Sequence, residues 1–336
     1  MAALGVTHPS LLDLARRLDP NDKVAADIVE ILDQMDDGII AAMPAVEGNL
    51  PTGHRSTIRT GIPAATWRKF NEGVQPNKST TVQITDNCGM LEAYAEVDKA
   101  LADLNGNTAA FRLSEDLPHI EGLYQEFRQT FFYGNEGSEP EAFTGFSPRF
   151  NALSGFEAAQ NVINAASNDT DNTSIWLIGG GPNTAHLIYP KGSTLGIQRK
   201  DMGEVTLETT NGVAGARSQA YRTHYRWDVG LCVRDWRYVV RIANIEVSDL
   251  LATAASGADL VNLMTQALEK IYSLSNVRPF FVANRTITAM LRQQMVTYVK
   301  NSTLQMDEVA GKKVMTFDGV PVYRCDALVN TETALV

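Results

Sequence analysis

Residues 48–82 constrain this chain more than any other stretch. They read GNLPTGHRSTIRTGIPAATWRKFNEGVQPNKSTTV. Four Gly and three Pro punctuate the stretch and exclude a long helix. It carries Arg55, Arg59, Arg68, Lys69 and Lys78 against one acid, Glu72, so it is +4 in a chain of formal charge −10. The β-branched pieces Ser56 to Ile58 and Thr80 to Val82 predict two strands of a long hairpin. Few large apolar residues, among them Ile58, Ile62, Trp67 and Phe70, are placed to anchor it on a core. Compact domains rarely keep loops beyond about 12–15 residues unless the loops bind something or are disordered. A basic arm on an acidic body predicts a partner, and a second copy of the chain is one candidate.

The 336 residues predict two domains or one elaborate domain. With 44% hydrophobic and 20% charged residues, a sizeable core is within reach. A pI near 5.1 argues against a nucleic-acid coat, because binding phosphates needs clustered Lys and Arg. Cys88, Cys232 and Cys325 are isolated, without CxxC spacing, which fits a reducing compartment. His8, His54, His119, His186 and His224 show neither HxxxH nor HExxH spacing, so neither a metal nor a cofactor is expected. The N-terminus lacks a basic region followed by an apolar one, and no run approaches the roughly 18 apolar residues of a membrane span. A soluble chain made in a cytoplasm and not inserted in a membrane is the expectation.

Apolar spacing organises the rest. Residues 7–36 predict two short helices divided by Asp19-Pro20-Asn21-Asp22, and residues 1–47 hold nine acids and three bases. Met90 to Leu104 reads as a helix ended by Asn105-Gly106. Asn107 to Tyr133 reads as a long helix with an apolar stripe at Leu113, Leu117, Ile120, Tyr124, Phe127 and Phe131, kinked or started by Pro118. Segment 83–145 is −9, with twelve acids and three bases. Ser154-Gly155-Phe156-Glu157 has the pattern of a capping box and predicts a helix to about Ser167. Ile175 to Ile178 reads as a buried strand, and residues 185–247 are mostly strand-like, with turns at 190–192, 201–203 and 211–212. A helix over 258–274, a strand at Pro279 to Ala283 and a helix capped by Asn284 and running to about Lys300 follow. Asp318-Gly319 predicts a closing hairpin turn.

Catalytic motifs are weak throughout. In IWLIGGGPN, Gly179 and Gly181 fit a phosphate-binding turn, but Thr184 replaces the third Gly and strand-like residues follow, so a strand-ending turn is the better reading. There is no GxxxxGK[ST] and no GxSxG. A second basic stretch holds Arg217, Arg222, Arg226, Arg234, Arg237 and Arg241, interleaved with Tyr221, Tyr225, Trp227, Trp236 and Tyr238. Such interleaving can form a nucleic-acid stacking platform. Alternation through Val229, Leu231 and Val233 favours paired strands with Arg on the wet face and aromatics in the core.

The order of these pieces resembles the major capsid proteins of tailed, and in particular short-tailed, double-stranded-DNA bacteriophages. The resemblance rests on GMLEAYAEVDKALADLNGN with FRLSEDLPHIEGLYQEFRQTFFYGN, on the extended stretch before them, and on RWDVGLCVRDWRYVVRIANI and GVPVYRCDAL. It covers nearly the whole chain and brings no catalytic motif. It implies an α+β capsid fold: an N-terminal arm at 1–47, an extended β-hairpin loop at 48–85, a peripheral domain from 86–150 and 311–336 with a spine helix at about 107–134, and an axial domain with inserted strands at 151–310. It further implies pentamers and hexamers closing an icosahedral shell around double-stranded DNA, without sequence-specific binding. Portal, scaffolding and decoration proteins are the implied partners, and the virion is the implied location after assembly in the host cytoplasm. Encapsulin-like nanocompartments share this fold and form the alternative; a nucleotide-dependent enzyme is the rival of another class. Some relatives crosslink a loop Lys to a neighbouring Asn; Lys69 and Lys78 are the loop lysines here.

The charge pattern leads to one specific expectation. The +4 loop should lie over the −9 segment of an adjacent copy, with Arg55, Arg59, Arg68, Lys69 and Lys78 facing Asp86, Glu92, Glu96, Glu115, Asp116, Glu121 or Glu126.

Overall fold

A computed structural model describes residues 38–104, 108–166, 170–208, 217–252, 258–274, 277–297, 304–309 and 312–336. The two helices expected within 7–36 and the turn at 211–212 lie outside the described residues. The chain divides into two compact units: residues 1–36, 90–128 and 194–228 form the first, and 37–89, 129–193 and 229–336 the second. Three long elements contribute residues to both.

In chain order the described elements begin with helix α1 (Ile39–Ala42) and strands β1 (Ala45–Glu47), β2 (Gly53–Gly61) and β3 (Thr80–Asp98). Helices α2 (Lys99–Asp103) and α3 (Thr108–Tyr133) follow, then β4 (Val162–Asn164), β5 (Asn172–Gly180), β6 (Ala185–Tyr189), β7 (Gln198–Glu208), β8 (Arg217–Val233) and β9 (Val239–Glu246). The last third holds α4 (Val247–Ala252), α5 (Leu260–Lys270), β10 (Arg278–Ala283), α6 (Arg285–Thr297), β11 (Leu304–Val309), β12 (Lys312–Phe317) and β13 (Val320–Arg324). The class is mixed α+β.

The second unit is built on β5, whose nine residues are all buried. Its continuous run of apolar and β-branched residues suits a strand covered on both faces. β5 pairs antiparallel with β9 on one side and β10 on the other, and β10 pairs parallel with β13. Against one face lie α5 and α6, which share a core with Ile175, Leu177, Val240, Ile242 and Phe281. Asp259 caps α5 by accepting from the Asn262 N–H at 3.2 Å. Leu260, Met264 and Ala267 are its buried face, as their spacing predicts. Asn284 caps α6 as expected, its Oδ1 accepting from the Ile287 N–H at 2.9 Å. Phe131, Phe132, Phe146, Phe150 and Trp176 form an aromatic cluster, each at most 1% exposed. Phe131 and Phe146 meet edge to face with centroids 5.0 Å apart. Gly145 lets the chain close on this cluster, because a Cβ there would lie 2.5 Å from the Thr130 carbonyl oxygen. The closing hairpin β12–β13 turns at Asp318 and Gly319, with φ of 50° and 76°.

The first unit joins the β7–β8 ladder to residues 90–98 of β3 and to α2 and most of α3. Val97, Ala102 and Phe111 form one small core, and Ala95, Leu123 and Tyr225 another. Trp227 packs on Tyr124 and Phe127, with centroids 5.3 and 4.5 Å away.

Four local expectations are corrected. Met90 to Leu104 is not one helix: residues 90–98 continue β3, and only Lys99–Asp103 is helical. Leu91, Ala93, Ala95 and Val97 alternate inward, a period of two that overrides the helix propensity of Leu, Ala and Glu. The long helix exists and holds Pro118 within it, but its apolar stripe is only half buried. Leu113 and Leu117 are 57% and 41% exposed, because the buried side runs through Phe111, Asp116, Leu123, Phe127 and Phe131. The capping box at Ser154 makes no cap; a 3-10 turn at Glu157–Asn161 leads directly into β4. Residues 201–203 are a bulge inside β7, where Gly203 has a φ of 68° and the register slips.

Candidate assembly surface

β2 and the start of β3 form the expected hairpin, paired from Gly53↔Asn87 to Gly61↔Thr80. Asn49 secures its root: Oδ1 accepts from the Arg55 N–H and Nδ2 donates to the Arg55 carbonyl, both at 2.7 Å. Between the strands, residues 62–79 run without regular structure apart from a turn at 70–71. The loop has little internal support: Asn77 Nδ2 donates to the Ala64 carbonyl at 3.0 Å, and the Glu72 N–H to that of Lys69 at 3.3 Å. Ile62, Trp67 and Phe70 are 87%, 103% and 98% exposed. Single exposed apolar residues are ordinary, but here three large ones fall on one loop.

Arg55, Arg59, Arg68, Lys69 and Lys78 are all exposed. Arg55 donates from Nε to the Thr85 hydroxyl at 3.2 Å. Among the described residues none of the five makes an ion pair.

The acidic candidates divide sharply. Asp86 is buried and takes Arg149 at 2.8 Å; Arg149 also donates to the Thr144 and Leu231 carbonyls. Asp116 is buried and paired with Arg199 at 3.0 Å, and Arg199 also donates to the Tyr225 hydroxyl at 3.1 Å. Burial, and then the Asp116 carboxylate, push the Tyr225 hydroxyl above its usual range. Glu96 pairs with Arg222 at 2.5 Å, and Glu92 faces His224 at 3.4 Å and Arg226 at 3.9 Å. These four acids pair within their own protomer, the buried Asp86 and Asp116 as buried carboxylates must, and the more open Glu96 and Glu92 beside them. Glu126 is exposed, and Glu115 and Glu121 are half-buried; Gln125 donates to Glu121 at 3.0 Å. Leu113 and Leu117 open to solvent on the same helix.

The second basic stretch is satisfied from within. Arg217 pairs with Glu208, Arg226 with Asp228, and Arg237 with Asp235. Tyr225 and Trp227 are buried, so no stacking platform is presented there. Arg241 departs from the expected wet face: it is 2% exposed. It donates to Glu332 at 2.9 Å, the Ser174 hydroxyl at 3.0 Å and the Phe150 carbonyl at 2.8 Å, and lies over the Trp176 ring. Tyr133 donates its hydroxyl to Glu332 at 2.5 Å. Burial and then the Glu332 charge hold that phenol far above its usual range. Nothing in the spacing of Arg241 and Glu332, 91 residues apart, announces this clasp.

The glycine run after β5 is a strand-ending turn. The Gly181 N–H donates to the Ala185 carbonyl and the Thr184 hydroxyl to that of Gly179, and β6 follows at once. No helix N-terminus stands there to hold a phosphate. Among the described residues no helix is long and apolar enough to cross a membrane.

A family model described as major capsid protein GP7 matches residues 19–336. No curated protein sequence matches the chain significantly. A chain in the near-atomic structure of bacteriophage Epsilon15 is 37% identical, over 100% of this chain and 99% of that one, with a TM-score of 0.76. A capsid chain of bacteriophage JBD30 is 9% identical over 90% and 95% of the two chains, with a TM-score of 0.48. An encapsulin chain from Synechococcus elongatus is 8% identical over 70% and 96%, with a TM-score of 0.44.

Proposed function

The chain belongs to the GP7 major capsid protein family, and from that premise we propose that one copy's basic hairpin fastens onto the acidic, leucine-bearing helix face of the next. It is a shell-forming protein of a tailed-phage capsid, and its place is the virion. Its work is assembly rather than catalysis. Pentamers and hexamers of this one chain close the shell, through heterologous contacts that close by rotation. Residues 48–85 act as the extended loop, 86–150 and 311–336 as the peripheral domain, and 151–310 as the axial domain. Portal, scaffolding and decoration proteins complete the particle, and the packaged double-stranded DNA is enclosed without sequence reading. The chain resembles encapsulins only at the level of a distant fold match, so the nanocompartment reading is not favoured.

The observation that carries the contact is the state of the loop. Its cations have no ion-pair partner among the described residues, and Trp67 and Phe70 touch almost nothing of their own chain. Leu113, Leu117 and Glu121 share one side of α3 and form the receiving face, while Glu115 and Glu126 lie across the helix; Asp86, Glu92, Glu96 and Asp116 pair within the protomer. Opposite potentials steer the encounter and fix register, and buried aromatics supply most of the hold.

Charge reversal tests this. Arg59→Glu with Arg68→Glu should abolish normal shells in negative-stain micrographs and leave the melting temperature of the unassembled chain unchanged. Normal shells from that variant would overturn the contact. Restored shells on adding Glu121→Lys would establish the pairing.

A further inference from the structure

Four chemically active side chains meet at the root of the basic hairpin. His54 stands opposite Asp86 across the β2–β3 ladder, and His186 opposite Cys232 across the β6–β8 ladder. Directly opposed residues in antiparallel strands bring their Cβ atoms to about 4.5–5.5 Å, so each ladder presents a ready pair. The ligand atoms of His54, His186 and Cys232 lie within 4.8 Å of one another. All three residues are buried: His54 is 6% exposed, and His186 and Cys232 are 0%. Nδ1 of His54 is buried without a hydrogen-bond partner, and the buried ring of His186 has the Gly181 backbone close enough to act on it. Each imidazole can give an ion one nitrogen, and a buried ring such as that of His186 calls for a specific explanation, an ion among them.

We propose that His54, His186 and Cys232 bind a divalent ion of the zinc type, which fastens the hairpin strand β2 to β6 and β8. Two imidazoles and a thiolate are borderline and soft donors, which select zinc over magnesium or calcium. Zinc–nitrogen distances of about 2.0–2.1 Å and zinc–sulfur of about 2.3 Å require the three donors to close slightly around the ion. A neutral imidazole carries one lone pair that a metal ion can take. Burial, then Asp86, pushes the Cys232 thiol up to about 12. The ion displaces the thiol proton, which leaves to solvent as the sulfur–metal bond forms.

Two neighbours fit this reading. Asp86 lies beside the cluster, with Arg149 on Oδ1 and Oδ2 turned into the buried space, and offsets part of the positive charge there. Arg234 donates from one guanidinium nitrogen to His54 Nε2 at 3.1 Å and from the other to the Pro182 carbonyl at 3.1 Å. An ion on His54 Nε2 takes the place of the first contact and leaves the second intact. The expectation of no metal came from spacing along the chain; the ladders bring together residues that are remote in sequence.

The test uses the purified full-length chain stripped with a chelator and titrated with Co2+, then Zn2+. One Co2+ per chain with a thiolate-to-metal charge-transfer absorption, displaced by Zn2+, is the expected result. Cys232→Ser should lose the absorption and Cys88→Ser should keep it. Absence of the band, or its survival in Cys232→Ser, would overturn the site. Should Cys232→Ser fail to fold, His54→Gln decides: Co2+ affinity at least tenfold weaker supports the site, and unchanged affinity overturns it. The readout is metal binding to a single chain, so it stands or falls independently of shell formation.

Discussion

The two basic stretches of this chain look alike on paper and behave oppositely. Residues 217–241 carry six arginines, and each finds a partner within the protomer: Glu208, Glu96, Asp228, the Pro182 carbonyl, Asp235 and Glu332 in order. Residues 55–78 carry five cations, and among the described residues none makes an ion pair. The first set lies on β8, β9 and the turn between them, where carboxylates and carbonyls of the same protomer come within reach, and its buried member Arg241 must be answered locally. The second sits on a hairpin and loop with no core beneath them, so its charges remain in water. A positive charge count therefore says little about function until the neighbours of each charge are known.

The largest effect should come from the most buried member of the satisfied set. Arg241 and Glu332 have side chains 3% and 6% exposed. Glu332→Ala would leave a guanidinium buried without its counter-charge, and breaking such a pair costs about 3–5 kcal/mol. Thermal or denaturant unfolding of the unassembled chain measures it; a loss below about 1 kcal/mol would mean that water reaches the clasp. The double change Arg241→Met with Glu332→Leu should recover much of that loss, because an apolar pair needs no counter-charge.

The loop should give the converse outcome. Trp67→Ala removes a side chain that is 103% exposed, so the unassembled chain should melt unchanged. Assembly should suffer, since aromatic anchors at the centre of an interface commonly cost on the order of 30-fold in affinity when truncated. Subunit concentration at the onset of shell formation, followed by light scattering, reads this directly. A shift in melting temperature without a shift in onset would place Trp67 in its own protomer and erase the contrast.

What was legible in the sequence follows the same division. The hairpin, the spine helix, the Asn284 cap and the Asp318-Gly319 turn are local patterns, and local patterns survive folding. Strand β3 was misread because Leu91, Glu92 and Ala93 favour a helix in isolation, while its neighbours in the sheet impose the alternation. Leu113 and Leu117 continue an apolar stripe, yet they emerge into solvent, because spacing marks a helix side and not what covers it. Asp86 and Asp116 were grouped with the surface acids by charge alone, and only the fold reveals that Arg149 and Arg199 claim them. The Arg241–Glu332 clasp and the His54–His186–Cys232 cluster left no trace, because their spacing is set by strand order and not by helix or strand period.

The smallest effect belongs to the outer end of the satisfied set. Arg217 and Glu208 pair at 3.2 Å, but their side chains are 67% and 69% exposed. Water screens such a pair, and two long side chains must be ordered to form it, so exposed pairs contribute about 0–1 kcal/mol. Arg217→Ala should shift unfolding by no more than about 0.5 kcal/mol, and added salt should erase the difference. That value against the cost of Glu332→Ala measures how far burial, not pairing alone, decides the worth of an arginine in this stretch. A large, salt-resistant loss at Arg217 would mean that this end of the ladder is dry, as it would be beneath a neighbouring copy. The experiment should therefore be run on unassembled chain and on shells; a loss confined to shells would give the 217–241 stretch an intermolecular role after all and blur the contrast with the loop.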